Sequence, residues 1–462
     1  MPPALFDFVR YQFEPSMSLI VRVFHRSHLA ILIETPYQTG VPHRFFLAAG
    51  LALFVWIQLA AGADTNAPSG DSLPPRLDIN HPIIGTLECD PSRIEATNDA
   101  GARSVVVGVN WDRGEPAEGQ FNAAYFKEIK DKIAAFRTGG KWIVLDLGVQ
   151  YPPRWIFQHA SSHFINQYGG PFDSAPGSGD CGVNLVFSQE MRDMFAIYLK
   201  HIFDELGTDF FAVRLGGGRY GEQGYPINVY KSGTNCYWAF DPLAQGKETG
   251  LPRGVKPCPV PGWIPGTAST DHASARLFLD WYMESMRNYH DWQITAVRAY
   301  FPGPLFMLYP SVGGLHPGQL DAAINDDCNG STQAERTGEV GRGFDTARFI
   351  AGMTDPKVVV YSTWIDGFEG SDDASPDPKR WSPAHFLASL AAAHQPPLLV
   401  GGENTGRPDD PANLELTFQR MRENHLCVMY WAFEPTLFDQ KAGHATIENF
   451  KRCVESSAAA SR

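Results

Sequence analysis

The chain has 462 residues, of which 44% are hydrophobic and 19% are charged, proportions typical of a soluble globular protein with a large core. The formal net charge of -13 argues against a nucleic-acid partner, because binding to a phosphate backbone requires a basic surface. The same charge is compatible with a neutral small molecule or a polysaccharide as the ligand.

The first 63 residues form an N-terminal extension, 1–63, that differs from the rest of the chain. Arg44 precedes an apolar run at 45–63, which ends in Ala61-Gly62-Ala63. A basic flank, an apolar centre and a small-residue ending are typical of an export signal. We therefore expect cleavage after Ala63 and a secreted, periplasmic or extracellular protein. The alternative is an uncleaved membrane anchor, because the run is slightly long for a signal but short for a span of about 20 residues.

Residues 64–77 are predicted to be a linker, because the sequence there turns polar and rich in Pro, Ser and Gly. Residues 78–462 are predicted to form one catalytic domain. Within it, eight short apolar runs are nearly continuous, as expected of strands that are buried on both faces. In chain order these predicted strands are 83–87, 104–109, 142–147, 210–215, 305–309, 358–363, 398–400 and 427–431.

Helix signals lie between the predicted strands. Helices are expected at 123–137, at 189–206 and, as a long element, at 273–300; Asn122 and Ser188 can cap the first two. An N-cap residue followed by proline at the first helical position recurs at Asp90-Pro91, Ser382-Pro383 and Asp410-Pro411.

Eight β-then-α units predict an α/β fold, a (β/α)8 TIM barrel over about residues 78–455. The alternative, a doubly wound open sheet, would be expected to carry a GxGxxG phosphate-binding motif, which does not occur in the right place. Loops after strands are long, notably 154–187 and 225–271, whereas loops before strands are short. Long βα loops predict one elaborated face, where barrel enzymes keep their sites.

The seven cysteines show none of the tight spacings that hold zinc, so no metal site is expected. In an exported protein some cysteines should pair, and Cys236 with Cys258 is the preferred bridge.

Two glutamates stand at the ends of predicted strands, next to glycines that let the backbone turn. Glu222 follows the fourth strand and Glu403 follows the seventh. These ends face each other across the mouth of an eight-stranded barrel, so both side chains can reach one cleft. Cleavage of a glycosidic bond requires such a pair of carboxylates and no cofactor. The alternative is that each is an ordinary loop carboxylate, in the case of Glu222 paired with Arg219.

Aromatic rings and polar groups near the strand ends are the candidate sugar-binding residues, since the apolar faces of sugars stack on flat rings. Any single aromatic at such a position is more often part of the core. Arg113 and Arg219 could instead hold the glutamates by charge-assisted hydrogen bonds, and Glu434 is a reserve catalytic candidate. The predicted substrate-binding residues are Trp111, Asp112, Arg113, Trp155, Arg219, Tyr220, Gln223, Tyr309, Trp364, Asp366, Asn404 and Trp431, with Tyr151 as a further aromatic candidate.

Two segments carry a resemblance to a known family. Residues 109–121, with Trp111, Glu115-Pro116 and Glu118-Gly119, resemble the strand-two turn of family 42 β-galactosidases and their relatives in the retaining glycoside hydrolase clan A. Residues 152–155, Pro-Pro-Arg-Trp, are similar to the element that this family places after strand three. The resemblance implies a TIM barrel that hydrolyses glycosides.

By the same resemblance, Glu222 is the acid/base, Glu403 the nucleophile and Trp431 the platform tryptophan. The chain departs from the pattern, because Gly221 stands where the clan usually has Asn and the cysteine zinc cluster of the family is absent. The turns around Glu222 and Glu403 are also similar to the two catalytic turns of β-amylases, which invert configuration.

The sequence therefore predicts an exported glycosidase that acts on an oligo- or polysaccharide, cleaves β-linked glycosides like a β-galactosidase, and retains configuration. An inverting, β-amylase-like α-glucanase is the alternative within the class. Outside it, the alternatives are an inactive carbohydrate-binding barrel and, less favoured, a barrel with lyase chemistry.

Overall fold

The computed structural model describes one compact unit of the chain. The extension 1–63, with its predicted signal or anchor at 45–63, and most of the predicted linker lie outside the described residues. In the part that is described, none of the helices combines the length and apolarity needed to cross a membrane. The described residues are 76–460 apart from 174–178, 181, 232, 268–269, 311–312, 368–369 and 407–408.

Eight parallel strands form a closed barrel in sequence order, with β1 paired to β8. The predicted fold class, a (β/α)8 barrel, is confirmed. The strands are β1 (Ile83–Thr86), β2 (Ser104–Gly108), β3 (Trp142–Asp146), β4 (Ala212–Leu215), β5 (Leu305–Tyr309), β6 (Val358–Ser362), β7 (Leu399–Glu403) and β8 (Val428–Trp431).

The largest difference from the predicted strands concerns β7, which continues through Gly401 and Gly402 to Glu403. Both glycines were interpreted as a turn, but they pair with β8. A side chain at Gly402 would collide with the carbonyl oxygen of Ser362 at 2.6 Å, so glycine allows β6 and β7 to pair closely. Glu403 therefore lies within a rigid strand.

Helices surround the barrel, and their predicted N-caps are confirmed where Asn122, Ser188, Ser382 and Asp410 accept a hydrogen bond from a backbone amide three residues on. The helices are α1 (Ile94–Asp99), α2 (Trp111–Gly114), α3 (Ala123–Thr138), α4 (Gln189–Leu206), α5 (His272–Arg298), α6 (Gln319–Asn325), α7 (Gln333–Arg336), α8 (Thr346–Ala351), α9 (Pro383–Ala393), α10 (Pro411–Glu423) and α11 (Ile447–Ala460); short 3-10 turns occupy Pro91–Arg93, Arg154–Gln158, Arg219–Gly221, Pro378–Arg380 and Glu434–Leu437.

Alternate strand residues point into the barrel and out towards the helices, as the pleat requires. On β6, Val359 and Tyr361 belong to the inner apolar cluster and Val360 to the outer one. The same alternation on β4 places Ala212 inside and Val213 outside. Arg214, the next residue, therefore points into the barrel.

The predicted bridge between Cys236 and Cys258 is wrong, because both residues are buried free thiols. The Cys236 sulfur lies 3.6 Å from the side-chain amide of Asn166, whereas Cys258 lies beside Gln245. Each thiol packs in a different part of the layer that the long βα loops form, called the loop layer below. The other described cysteines, Cys89, Cys328, Cys427 and Cys453, are free as well.

The crowded interior of the barrel generates a stability prediction. A methyl group at Gly85 of β1 would collide with the ring of Tyr430 and lie 2.6 Å from the carbonyl oxygen of Ser104. Gly85→Ala is expected to lower the free energy of unfolding by about 1–3 kcal/mol. Gly108→Ala is the matched control, because this inward-facing glycine of β2 has its nearest neighbouring atom 3.5 Å away; its effect should stay within about 1 kcal/mol. Urea unfolding of the two variants measures both effects. Equal unfolding midpoints for Gly85→Ala and Gly108→Ala would contradict the close packing around Gly85.

Candidate active site

The two predicted carboxylates lie at the mouth of the barrel. Glu403 is the last residue of β7, and Glu222 directly follows the short turn Arg219–Gly221 after β4. Their side chains are 12% and 10% exposed, so each is largely dry but reachable from solvent. Gly108, the last residue of β2, faces the interior of the barrel and is also exposed. The mouth is therefore open to solvent above this strand.

Glu403 is held by two donors that come from other strands. Nη2 of Arg214 lies 3.0 Å from Oε2 and 3.2 Å from Oε1, and the hydroxyl of Tyr361 donates to Oε2 at 2.8 Å. Burial raises the pKa of Glu403, while Arg214 and Tyr361 act against this rise. Both donors stabilise the charged form of the carboxylate, but burial is the larger effect and the pKa of Glu403 stays above its ordinary value.

Arg214 links two carboxylates across the barrel. Its Nε lies 3.6 Å from Oδ2 of Asp146 at the end of β3, on the opposite side from Glu403. Burial lowers the pKa of Arg214, but the charges of Glu403, Tyr361 and Asp146 outweigh burial and raise it. The guanidinium is therefore a permanent cation in the centre of the barrel, and Gln150 supports the far end by donating to Oδ1 of Asp146 at 3.1 Å.

Glu222 is positioned by a glycine-rich turn that folds back on itself. Any side chain at Gly216 would collide with the carbonyl oxygen of Gly221, and both glycines have a positive φ, which other residues rarely adopt. The amide of Gln223 then donates to the carbonyl oxygen of Leu308 at 2.8 Å. This contact with β5 returns the turn to the barrel and aims Glu222 at the mouth.

The carboxylate of Glu222 also contacts β6 and the loop after β5. The hydroxyl of Thr363 donates to Oε1 at 2.7 Å, and Nη2 of Arg342 lies 3.4 Å from Oε2. Thr363 directly follows the last residue of β6 and is two residues after Tyr361, so both side chains point to the interior. The two carboxylates thus bind neighbouring inward side chains at the end of β6, which brings Glu222 and Glu403 to one region of the barrel mouth.

Two tyrosines form a wall beside the turn that carries Glu222. A side chain at Gly179 would lie 3.6 Å from the ring of Tyr151 and 3.7 Å from the ring of Tyr220. Tyr220 is 61% exposed and adopts a left-handed backbone, with φ 57°, which is unusual for a bulky residue. Its hydroxyl accepts a hydrogen bond from Arg219 at 2.8 Å, and Arg219 in turn lies 2.8 Å from Asp180.

Four of the predicted substrate-binding residues are fully buried and cannot contact a ligand in this structure. Trp431 and Tyr309 point outward into the helix layer, Trp111 packs against Tyr198, and Gln223 receives a hydrogen bond from Gln293. A strand-end aromatic faces either the cleft or the helices, depending on its position in the pleat. The aromatic platform expected at Trp431 is therefore not available there.

Three other candidates hold loops together. Asp366 accepts hydrogen bonds from Thr405 and from Asn413 at the start of α10. Asn404 exchanges two hydrogen bonds with the backbone of Ala432 after β8. The reserve candidate Glu434 is also buried. Its carboxylate accepts hydrogen bonds from the hydroxyl of Thr86 and from the amide of Asp90, outside the barrel.

The predicted roles of Arg113 and Arg219 in holding the glutamates are wrong. Arg113 is exposed and forms an ion pair with Glu128 at 3.0 Å, and Arg219 pairs with Asp180. Trp155 is half-buried and its indole nitrogen donates to the carbonyl oxygen of Glu115 at 2.8 Å. None of these contacts involves Glu222 or Glu403.

Asp112 and Trp364 stay candidates for contact with a ligand. Both are half-buried, Asp112 in α2 and Trp364 shortly after β6, and burial raises the pKa of Asp112. The amide of Asp112 donates to the carbonyl oxygen of Tyr151 at 2.9 Å, and Trp364 directly follows Thr363. Their binding roles are still predictions.

Sequence reasoning missed the residues that hold the glutamates, namely Arg214, Tyr361, Thr363 and Arg342, and also Asp146, which pairs with Arg214. One signal was present, because Arg214 is a charged residue inside an apolar strand and such a charge must be paired. Tyr361 sits in an equally apolar run. Among the described residues, no group of His, Cys, Asp and Glu side chains is arranged to hold a metal ion.

No protein-family model matches the chain, and a search of curated proteins finds no match. The structure is similar to the catalytic domain of a β-amylase from Paenibacillus polymyxa, with a TM-score of 0.57 and 14% identity over 83% of this chain and 100% of that one. It is also similar to a β-galactosidase from Marinomonas ef1, with a TM-score of 0.49 and 13% identity over 81% of this chain. Gan42B, a GH42 β-galactosidase, has a TM-score of 0.49 and 13% identity over 84%. The chain spans 59% and 57% of those two β-galactosidases. At 14% identity, the likeness to the β-amylase domain supports the barrel fold alone.

The pairing of Arg214 with two carboxylates predicts a large, pH-dependent effect of its removal. Arg214→Met leaves Glu403 and Asp146 without their cation and should lower the free energy of unfolding by about 3–5 kcal/mol at neutral pH. The pKa of Glu403, already raised by burial, should rise further. A carboxyl group whose folded pKa exceeds its unfolded pKa destabilises the fold more as pH rises, so the loss should be smaller at pH 5 than at pH 8.

Denaturant unfolding across this pH range measures the effect. Arg113→Met is the control, because this exposed ion pair should contribute about 1 kcal/mol or less. Adding Glu403→Gln to Arg214→Met should recover part of the loss. A loss that is independent of pH would contradict the assignment of the effect to Glu403.

Proposed function

We propose that this protein is a glycoside hydrolase in which Glu222 and Glu403 are the two catalytic carboxylates. The observation that carries the proposal is that the two carboxylates bind inward side chains at the end of β6, namely Tyr361 of the strand and Thr363 directly after it, at the open mouth of the barrel. Such a pair can deliver a proton to one side of a glycosidic bond and a negative charge to the other.

Glu403 is assigned as the nucleophile. It lies on a strand, and Arg214 and Tyr361 hold its carboxylate in one orientation. One oxygen can therefore point at the anomeric carbon without a change of side-chain rotamer. The same two donors stabilise the anion before attack. When the carboxylate becomes an ester in the glycosyl-enzyme, Arg214 still has the charge of Asp146 beside it, which limits the cost of losing the Glu403 anion.

Glu222 is assigned as the acid/base. It protonates the oxygen of the leaving group in the first step, and its carboxylate then takes a proton from the water that attacks the glycosyl-enzyme. Thr363 and Arg342 hold the side chain in both steps. Its place on a turn, two residues after the exposed Tyr220, puts the acid beside a ring on which the leaving sugar can stack.

The charges around the pair favour a neutral sugar. Glu222, Glu403, Asp146 and Asp180 contribute four carboxylates; Arg214 is paired with two of them, and Arg219 and Arg342 with one each. No cation among these residues is left to bind a sugar acid. We infer an oligo- or polysaccharide with β-linked neutral sugars, cleaved with retention as by a β-galactosidase, and reached through export directed by residues 45–63.

An inverting α-glucanase of the β-amylase type is the second candidate. The turns Gly221-Glu222 and Gly401-Gly402-Glu403-Asn404 are similar to the two β-amylase turns, and a β-amylase catalytic domain is matched over its whole length. In this mechanism Glu403 would activate water in place of attacking carbon. An inactive carbohydrate-binding barrel is the candidate outside the enzyme class.

Substitution of each glutamate by its amide tests the catalytic assignment. Glu403→Gln should lower kcat on aryl glycosides by about 10⁴-fold or more, because the nucleophile is lost. Glu222→Gln should cost about 10²–10⁴-fold with a poor leaving group and much less with a dinitrophenyl glycoside, whose leaving group needs no proton. Glu434→Gln is the matched control, a buried strand-end glutamate outside the barrel; its kcat should equal that of the wild type even if its stability falls. Full activity of Glu403→Gln would remove this residue from the mechanism.

The substrate that is cleaved, taken together with the anomeric form of the first product, distinguishes the candidate functions. With an aryl β-galactoside, retention releases the β-anomer, which proton NMR detects before mutarotation. Cleavage of maltooligosaccharides to the β-anomer, without cleavage of β-galactosides, would assign the inverting α-glucanase instead. Binding of sugars with no hydrolysis of either substrate would assign the inactive barrel.

Because the site has no unpaired arginine among the residues named above, β-glucuronides should be cleaved far more slowly than neutral glycosides.

A further inference from the structure

A second cleft opens in the loop layer, on the same end of the barrel as the glutamates. It has a volume of about 620 Å³, within the range of roughly 300–1,000 Å³ that is usual for small-molecule sites. Tyr168 comes from the loop after β3, Val229 and Ile264 from the loop after β4, and Asn329 from the loop after β5. Three βα loops therefore build one concave surface.

Apolar side chains are concentrated in this cleft. In the described part of the chain, seven large hydrophobic side chains are exposed, and three of them, Tyr168, Val229 and Ile264, line the cleft. The other four are distributed among elements elsewhere. Exposed apolar groups that share one concavity mark a binding surface, whereas single exposed residues need no explanation.

Tyr168 is held rigidly although it is 59% exposed. Its hydroxyl donates to the carbonyl oxygen of Thr234 at 2.7 Å, and its amide donates to the side chain of Asn166 at 3.0 Å. Part of the ring packs on Gly233, where any side chain would lie 2.8 Å from it. A ring that is fixed in place and open to solvent loses little entropy when a flat apolar face stacks on it.

The polar groups of the cleft are amides. The side chain of Asn235 donates to the carbonyl oxygen of Cys328 at 2.9 Å, while its Oδ1 is buried behind the cleft wall and has no hydrogen-bond partner among the described residues. Asn329 is exposed at the rim. An amide offers both a donor and an acceptor, which suits a hydroxyl group.

The charged side chains of the lining form hydrogen bonds within the protein. Glu335 is fully buried and accepts hydrogen bonds from the amide of Gly330 and from the amide and hydroxyl of Thr332. Arg336 is exposed, and its guanidinium donates to the carbonyl oxygen of Ser331. A ring, amides and the remaining N–H donors of this guanidinium are therefore what the cleft offers to a ligand, and this combination suits a hydroxyl-rich molecule with an apolar face.

We propose that this cleft is a second carbohydrate-binding site, which takes a neutral sugar unit of a polysaccharide outside the catalytic mouth, with Tyr168 as the stacking ring. The choice of a polysaccharide over a free sugar rests on the proposed function, since a chain that is held at one place on this face stays close to the glutamates.

Native gel electrophoresis of the full chain tests the site, in gels that contain galactan, mixed-linkage β-glucan or starch. The wild type should be retarded by at least one of these polysaccharides, and Tyr168→Ala should weaken the retardation by about tenfold, through loss of the ring contact. Val229→Lys, which puts a charge into the cleft from a position that is 51% exposed, should have the same effect. Leu277→Ala is the matched control, since this residue of α5 is 52% exposed outside the cleft and its loss should change nothing.

Hydrolysis of a small aryl glycoside is measured in parallel and should be unchanged in all three variants. Retardation that depends on Tyr168 without any hydrolysis would overturn the proposed function and leave the second site standing. Equal retardation of wild type and Tyr168→Ala, no retardation by any of the three polysaccharides, or retardation only by an acidic polysaccharide such as polygalacturonate would overturn the second site.

Discussion

The structure depends on one cation in the centre of the barrel. Arg214 is almost completely removed from water, and an unpaired charge in such a position would cost several kcal/mol. Glu403 from β7 and Asp146 from β3 supply the opposite charges, and Tyr361 from β6 supplies a further hydroxyl. Side chains from four strands therefore meet in one layer, and the position of each is set by the others.

This layer divides the barrel into two regions. Below it, side chains such as Val144, Phe306 and Val428 fill the interior with apolar contacts. Above it, the mouth opens to solvent at Gly108 and holds the second carboxylate. The charged layer is thus the floor of the cleft, with rigid apolar packing beneath it, and a ligand that enters meets Glu403 already fixed at that floor.

The two glutamates are mounted in different ways, and the difference matches the roles we propose. Glu403 is part of a paired strand, where its backbone has little freedom. Glu222 sits on a glycine-rich turn beside Tyr220, whose left-handed backbone is a strained conformation of the kind that functional sites retain. A nucleophile needs one fixed direction of attack, whereas an acid/base acts first on the leaving group and then on water.

The loop layer carries a separate function in our proposal. Its long segments build both the rim of the mouth and the cleft around Tyr168, and they contain buried free thiols in place of the bridge that export suggested. Packing and hydrogen bonds thus hold these loops where covalent links were expected. Because the strands are closed into a barrel, variation in these loops can add a binding surface without disturbing the charged layer.

The sequence by itself determined the eight strands, the starts of α3, α4, α5, α9 and α10, and the positions of Glu222 and Glu403 after β4 and β7, because apolar runs, caps and glycines act on their immediate neighbours. It did not determine which way strand-end side chains point, since a shift of one residue reverses the face; Trp431 and Tyr309 therefore lie in the helix layer. Only the tertiary structure decided the partners of the glutamates. Arg214 and Glu403 are 189 residues apart, and Glu222 and Thr363 are 141 apart. Such contacts arise when the barrel closes, and no local pattern in the chain encodes them.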